Sequence, residues 1–262
     1  GGDNYEHVWY LWWLAHTLFE NIGSPVHIPL LNYPVGVYSP LNLTHTPALF
    51  LPAMLGYLTT PVSAYNLAMM LVPALNASGM YWLAIELTAS RRAALLGGLL
   101  FGFSPHMLGH MQAGHLSLIT MLGFPLFTLF LLRLLRRPTW QRTAATGLSA
   151  FLAAAHPSYL AYFILPTALI TLGASRSRLR NRKVCTAVLT AALLAIAMLA
   201  PFYVPLLTSH EAITTRSLEL GDSVGKSIDI ASLLTPPSDN PFLPAALQPF
   251  AARVVTSTDE NH

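Results

Sequence analysis

The run Gly1-Gly2-Asp3-Asn4-Tyr5-Glu6-His7 holds the first residues whose types suit chemistry. A carboxylate at Asp3 could take a proton from an acceptor hydroxyl, the work of a general base in group transfer. Glu6 and His7 stand three and four residues further on, so a helix would set them on one face with Asp3 as substrate-binding partners. Asp also caps helices well, and an aromatic helix is expected next, so a purely structural N-cap role for Asp3 stays open.

The second group is the run Ser104-Pro105-His106-Met107-Leu108-Gly109-His110-Met111-Gln112-Ala113-Gly114-His115. His106 and His110 could project from one helical face toward a metal ion or a phosphate, with His115 five residues later. No carboxylate lies nearby in sequence to complete or support a ligand set, which favours polar lining of a water-filled cavity over metal ligation. His110 and His115 are therefore read as substrate-binding. No metal ligand is assigned, and a divalent metal cofactor stays open.

The third group is Arg216, Lys226 and Arg253, the basic residues that stand apart from three tight basic clusters. A guanidinium fork matches phosphate, so an arginine near the outer leaflet could hold a lipid phosphate and stabilise it as a leaving group. For any one of the three a solvated surface charge is the plainer alternative. Arg216 lies nearest to the end of a hydrophobic segment and is the choice for substrate binding. His156, followed by Pro157, reads equally as a turn residue. No nucleotide-binding glycine loop, Ser-His-Asp order or zincin spacing occurs. The single Cys185 excludes an internal disulfide and a cysteine-based metal site.

The elements that must position these groups belong to a membrane. Of 262 residues 53% are hydrophobic and 10% charged, against about 25% charged in a soluble domain. A hydrocarbon core about 30 Å thick takes roughly 20 residues of helix, and several apolar runs approach that length. Strands would have to close into a barrel with alternating polarity, a pattern absent here. The expected fold class is all-α, a polytopic transmembrane bundle of about six crossings.

Charge sets the orientation. Eleven of the 14 basic residues fall in three clusters, Arg91 and Arg92, then Arg133 to Arg142, then Arg176 to Lys183, and these are expected on the cytoplasmic side. Ten of the 11 acids lie in the terminal segments, on the other side. Val62 to Thr88 should cross once. Ala93 to Leu132 should form a hairpin turning near Ser104-Pro105, and Thr143 to Gly173 another turning at His156-Pro157. Val184 to Leu207 should cross back. Leu49 to Leu58, ringed by prolines, reads as re-entrant or interfacial. Tyr5 to Phe19, with Trp9, Trp12 and Trp13, reads as an interfacial helix, its tryptophans an aromatic belt at headgroup level. The organisation expected is an extracytoplasmic loop over 1–61, a bundle over 62–208 and an extracytoplasmic segment over 209–262, in a multi-pass protein of the plasma membrane. The opening residues show no signal peptide, and an outward-facing start implies an earlier helix upstream of Gly1. The pI near 9.1 follows from the topology clusters, so no nucleic-acid partner is implied, and the expected surroundings are membrane lipid.

Several motifs, in their shared order, resemble bacterial and archaeal membrane glycosyltransferases of the GT-C type. They are Gly1-Gly2-Asp3 followed by Trp9-Tyr10-Leu11-Trp12-Trp13, then Tyr33-Pro34-Val35-Gly36, Phe101-Gly102-Phe103-Ser104-Pro105, Gly114-His115-Leu116-Ser117-Leu118, Pro125-Leu126-Phe127 and the stretch Ser227-Ile228-Asp229 to Pro236. The resemblance implies transfer of a sugar from a polyprenyl-phosphate donor to an extracytoplasmic acceptor, and it carries the role of catalytic base onto Asp3. It also implies a further segment beyond His262. Other classes stay in view: a polytopic transporter, or a non-catalytic subunit of a polysaccharide assembly system. Against a transporter, Val62 to Thr88 carries one acid, Glu86, near its end, and the segments Thr143 to Gly173 and Val184 to Leu207 carry no formal charge.

Overall fold

The computed structural model of the chain describes residues 3–20, 23–39, 41–155, 162–208 and 243–249. It divides into two compact units, Gly1–Ala212 and Ile213–His262. In the second, the described residues form a short 3-10 turn, Ala245–Leu247, after Pro244.

The first unit is almost wholly helical. Its order is α1 (Asp3–Phe19), a two-residue antiparallel pair β1 (His27–Ile28) and β2 (Val37–Tyr38), α2 (Leu41–Leu58), α3 (Pro61–Thr88), α4 (Arg91–Gly102), α5 (Pro105–Ala113), α6 (Leu116–Ile119), α7 (Gly123–Arg136), α8 (Trp140–Ala154), α9 (Ile164–Ala174) and α10 (Arg182–Thr208). The Tyr33-Pro34-Val35-Gly36 run turns between β1 and β2, with Tyr33-Pro34 in cis. Three stretches are long and apolar enough to cross a membrane: Pro61–Thr88, Leu116–Arg136 and Arg182–Thr208. Large apolar side chains such as Leu100, Ile170, Leu193 and Ile196 lie on the outside, an arrangement that suits lipid rather than water. The chain is thus mostly helical, with three helices whose length and composition suit a membrane.

Helix starts follow local chemistry. At α3 and α5 a hydroxyl N-cap precedes a proline: Thr60 accepts from the Ser63 amide and Ser104 from the Met107 amide. Ser90 and Thr139 cap α4 and α8 in the same way. The turn expected at Ser104-Pro105 is broader than a hairpin, because α5 and α6 fill the space between α4 and α7. The tip expected at His156-Pro157 lies outside the described residues.

Two of the elements read from sequence gain detail. The segment Leu49 to Leu58 is part of one 18-residue helix that contains Pro47 and Pro52. Each proline costs a local hydrogen bond, but Leu49 and Ala53 are fully buried against Leu11 and Leu14, and that packing sustains the helix. In α1 the periodicity turns Leu11, Trp13 and Leu14 inward, and Trp13 is only 3% exposed. Trp13 therefore packs within the protein, its ring stacked on that of Trp9, and only Trp9 and Trp12 keep partial exposure.

Close helix approach comes from small residues. Gly98 and Gly102 sit one turn apart on α4; a Cβ at Gly102 would lie 2.5 Å from the Pro73 carbonyl oxygen, and one at Gly98 2.7 Å from that of Ala77. The spacing is the small-xxx-small pattern that lets two membrane helices touch through their backbones. At the far end of α3, Glu86 is clasped by Arg133, at 2.7 and 2.8 Å, and by Arg136, both from the last turns of α7.

Between these ends Asn76, fully buried in mid-α3, donates to the Ile119 carbonyl at 2.6 Å and accepts from the Met121 amide at 3.2 Å. It thereby satisfies the backbone where α6 stops and α7 has not begun. In apolar surroundings a freed peptide group has no water to fall back on. The Met121 amide also donates directly to the Ile119 carbonyl at 2.9 Å, so replacing Asn76 by Leu should leave that bond and remove the two made by the side chain, each worth about 0.5–1.5 kcal/mol. The expected result is a clearly lowered thermal midpoint for the detergent-solubilised protein; an unchanged midpoint would show that the break needs no such support.

Candidate functional site

The site forms where the first turn of α1, the first turns of α3 and the α5–α6 corner meet. Gly114 makes the corner. Its φ of +90° ends α5, its amide returning to the carbonyls of His110 and Met111. Its carbonyl accepts from the Tyr65 hydroxyl at 2.9 Å, and that hydroxyl also lies 3.0 Å from the Asn4 side-chain oxygen. A Cβ on Gly114 would collide with the Asn4 side chain. Gly114 is thus needed twice, for its left-handed backbone and for the space it leaves.

The corner folds His115 back onto His110. Their Nδ1 atoms are 2.8 Å apart, and His115 Nε2 lies 2.6 Å from Asp3 Oδ2. The network assigns the protons. Facing a carboxylate, His115 Nε2 carries hydrogen and donates; neutral His115 then accepts at Nδ1 from the Nδ1–H of His110. Passage of the His110 Nδ1 hydrogen to His115, with a proton taken up at His110 Nε2, would make His115 an imidazolium flanked by the carboxylate. The array Asp3–His115–His110 can therefore accept a proton and hold the resulting charge beside a fixed counter-charge. Asp3 is 51% exposed at its side chain and His115 16%, so the carboxylate meets solvent while its partner stays shielded.

His7 steadies the approach: Nδ1 is 2.9 Å from the Asp3 carbonyl oxygen and Nε2 is 3.4 Å from the Ser117 hydroxyl on α6. Beyond His110, the ring of His106 meets it edge-on with centroids 4.4 Å apart. His106 also lines an open cleft of about 410 Å³ walled by Phe101, Ser104, Met107, Met121, Phe124 and Phe163. The imidazole series so runs from a half-exposed carboxylate to an apolar cleft.

Of the residues singled out from sequence, Asp3, His7, His110 and His115 come together here, although 112 residues separate Asp3 from His115. Glu6 is exposed and no described side chain pairs with it, so it does not join them. Arg216, Lys226, Arg253 and His156 lie outside the described residues. As for the two roles open to Asp3, its carboxylate is engaged by His115 across the site. Among the described residues no three His, Cys, Asp or Glu side chains group to hold a metal ion. Asn4, Tyr65 and Ser117 were not anticipated. The available signal was Ala113-Gly114-His115: a helix-ending glycine between two histidines turns the second back on the first. Comparison with protein-family profiles, curated proteins and solved structures gives no match.

Gly114→Ala should strain the backbone by about 1–3 kcal/mol and expel Asn4. We expect His115 to become more reactive toward diethyl pyrocarbonate than in the wild type. Equal labelling rates would mean that the corner tolerates a side chain.

Proposed function

We propose that the chain is an integral membrane glycosyltransferase, moving a sugar from a polyprenyl-phosphate donor to an acceptor outside the cytoplasm, with Asp3 as catalytic base. The observation that carries the reading is the half-exposed Asp3 carboxylate held 2.6 Å from a shielded His115. Such a group has one oxygen engaged by its positioning partner and another available to a hydroxyl. In the reaction the acceptor oxygen bonds to the sugar carbon as the bond from that carbon to the phosphate oxygen breaks. Asp3 receives the hydroxyl proton, and the polyprenyl phosphate leaves with the bonding pair. His115 holds the carboxylate in place and spreads the incoming charge toward His110. His7 fixes the turn that bears Asp3. The cleft beside His106 offers apolar walls to the donor's chain.

The topology we assign is six crossings in the plasma membrane, α3, α4, α7, α8, α9 and α10, of which α4, α8 and α9 are short and cross tilted or in part. In support, the basic clusters fall at the α3–α4, α7–α8 and α9–α10 connections, with the site at the opposite end of α3 from Glu86. A transport path is disfavoured because Asn76, the polar side chain buried in mid-α3, is committed to backbone partners.

The test is sugar transfer from labelled polyprenyl-phosphate donors in membranes carrying the full-length protein. Asp3→Asn should lower transfer by about 10²–10⁴-fold with insertion unchanged, and His115→Gln should lower it less. Near-normal transfer by correctly inserted Asp3→Asn protein would overturn the assignment.

A further inference from the structure

A second groove lies between the first turns of α8 and α10, at the basic end of the bundle. It measures about 420 Å³ and is lined by Trp140, Thr143, Ala144, Lys183, Ala187 and Leu194 among others, a volume within the ~300–1,000 Å³ usual for small-molecule sites. We propose that it binds one anionic glycerophospholipid, with the phosphate on Lys183 at the mouth and an acyl chain along the groove. The proposal is independent of the sugar-transfer reading.

Three observations favour that occupant. The first is charge. Arg133 and Arg136 are compensated by Glu86, whereas Arg176, Arg178, Arg180, Arg182 and Lys183 are exposed, and no described carboxylate pairs with them. This end attracts anions and has not spent its charge internally. The second is the wall. The Thr143 hydroxyl donates to the Thr139 carbonyl at 3.0 Å and that of Thr186 to the Lys183 carbonyl at 3.1 Å. The Thr139 hydroxyl accepts from the Arg142 amide, which leaves Thr190, among the described residues, as the one lining hydroxyl with no bond to its own helix, so the interior has little to offer a polar ligand. From Lys183 to Leu194 the groove follows α10 for roughly 16 Å at ~1.5 Å per residue, far deeper than a free phosphate needs. The third is Trp140, 77% exposed beside the mouth, an amphipathic ring of the kind that settles at headgroup depth. A long Lys stem beside an apolar wall suits the same depth, its ammonium reaching the phosphate while its methylenes stay in lipid.

The experiment is native mass spectrometry of the full-length protein in detergent, titrated with phosphatidylglycerol and with phosphatidylcholine. Wild type should prefer phosphatidylglycerol. Lys183→Gln should weaken that binding about fivefold, the effect of one interfacial cation. Ala187→Phe, which fills the groove without altering charge, should weaken it at least as much, while the Arg91→Gln, Arg92→Gln double variant should leave it unchanged. Each variant is checked for a wild-type thermal midpoint first, and Ala144→Phe replaces Ala187→Phe if the latter is unstable. An equal loss in the Arg91/Arg92 variant would reduce the effect to diffuse charge and overturn the site. Retained binding after the groove is filled, or displacement of the lipid by equimolar glycerol phosphate, would overturn the lipid as occupant.

Discussion

The whole bundle answers to one requirement: where a helix breaks in apolar surroundings, its peptide groups must find partners in the protein. The break between α6 and α7 is the test case: the Met121 amide donates to the Ile119 carbonyl across it, and a side-chain amide from α3 bonds both groups as well. That support permits α5 and α6 to exist as a corner instead of a continuous crossing. The corner in turn is what carries two histidines and a glycine to the first turn of α1. Asn76 therefore stands behind the site without touching any residue that could react.

The site follows from how four helices share one small core. Leu11 and Leu14 of α1, Leu49 of α2, Val72 of α3 and Leu116 of α6 pack together beneath it. Apolar burial at about 25 cal/mol per Å² makes this cluster the main source of its stability. The polar layer above is specified by geometry more than by strength. Tyr65 reaches both Asn4 and the Gly114 carbonyl, and His7 spans from the Asp3 carbonyl to Ser117. Those cross-links fix the distance between Asp3 and His115 from both sides.

Much of this was legible in the chain itself, for physical reasons that also mark where legibility stopped. The long spans are announced by apolar runs, and their cytoplasmic ends by the basic clusters, because both signals are local. Asp3 and the three histidines stand out because polar groups are few in such a sequence. Tyr65 and Asn76 did not stand out, since a lone Tyr or Asn in an apolar helix gains its meaning from a partner more than 40 residues away. Spacing put Glu6 and His7 alike within reach of Asp3, but only His7 faces α6; Glu6 turns outward, because the neighbouring helices choose the buried face. The inward turn of Trp13 has the same origin: composition places tryptophans at an interface, but packing selects which one leaves it.

One geometric property of α3 has a mechanical consequence. Tyr65 and Asn76 are 11 residues apart, close to three full turns at ~3.6 residues per turn, so their partners engage one stripe of α3, while Glu86, ten residues further on, lies about 80° round from Asn76. The helix is keyed like a shaft with two teeth in line and a third set to one side. A rotation of about 100°, the step of one inserted residue, would disengage every tooth beyond the insertion together. An insertion between Tyr65 and Glu86 would therefore set the arginine clasp out of register with the hydroxyl beside Asn4.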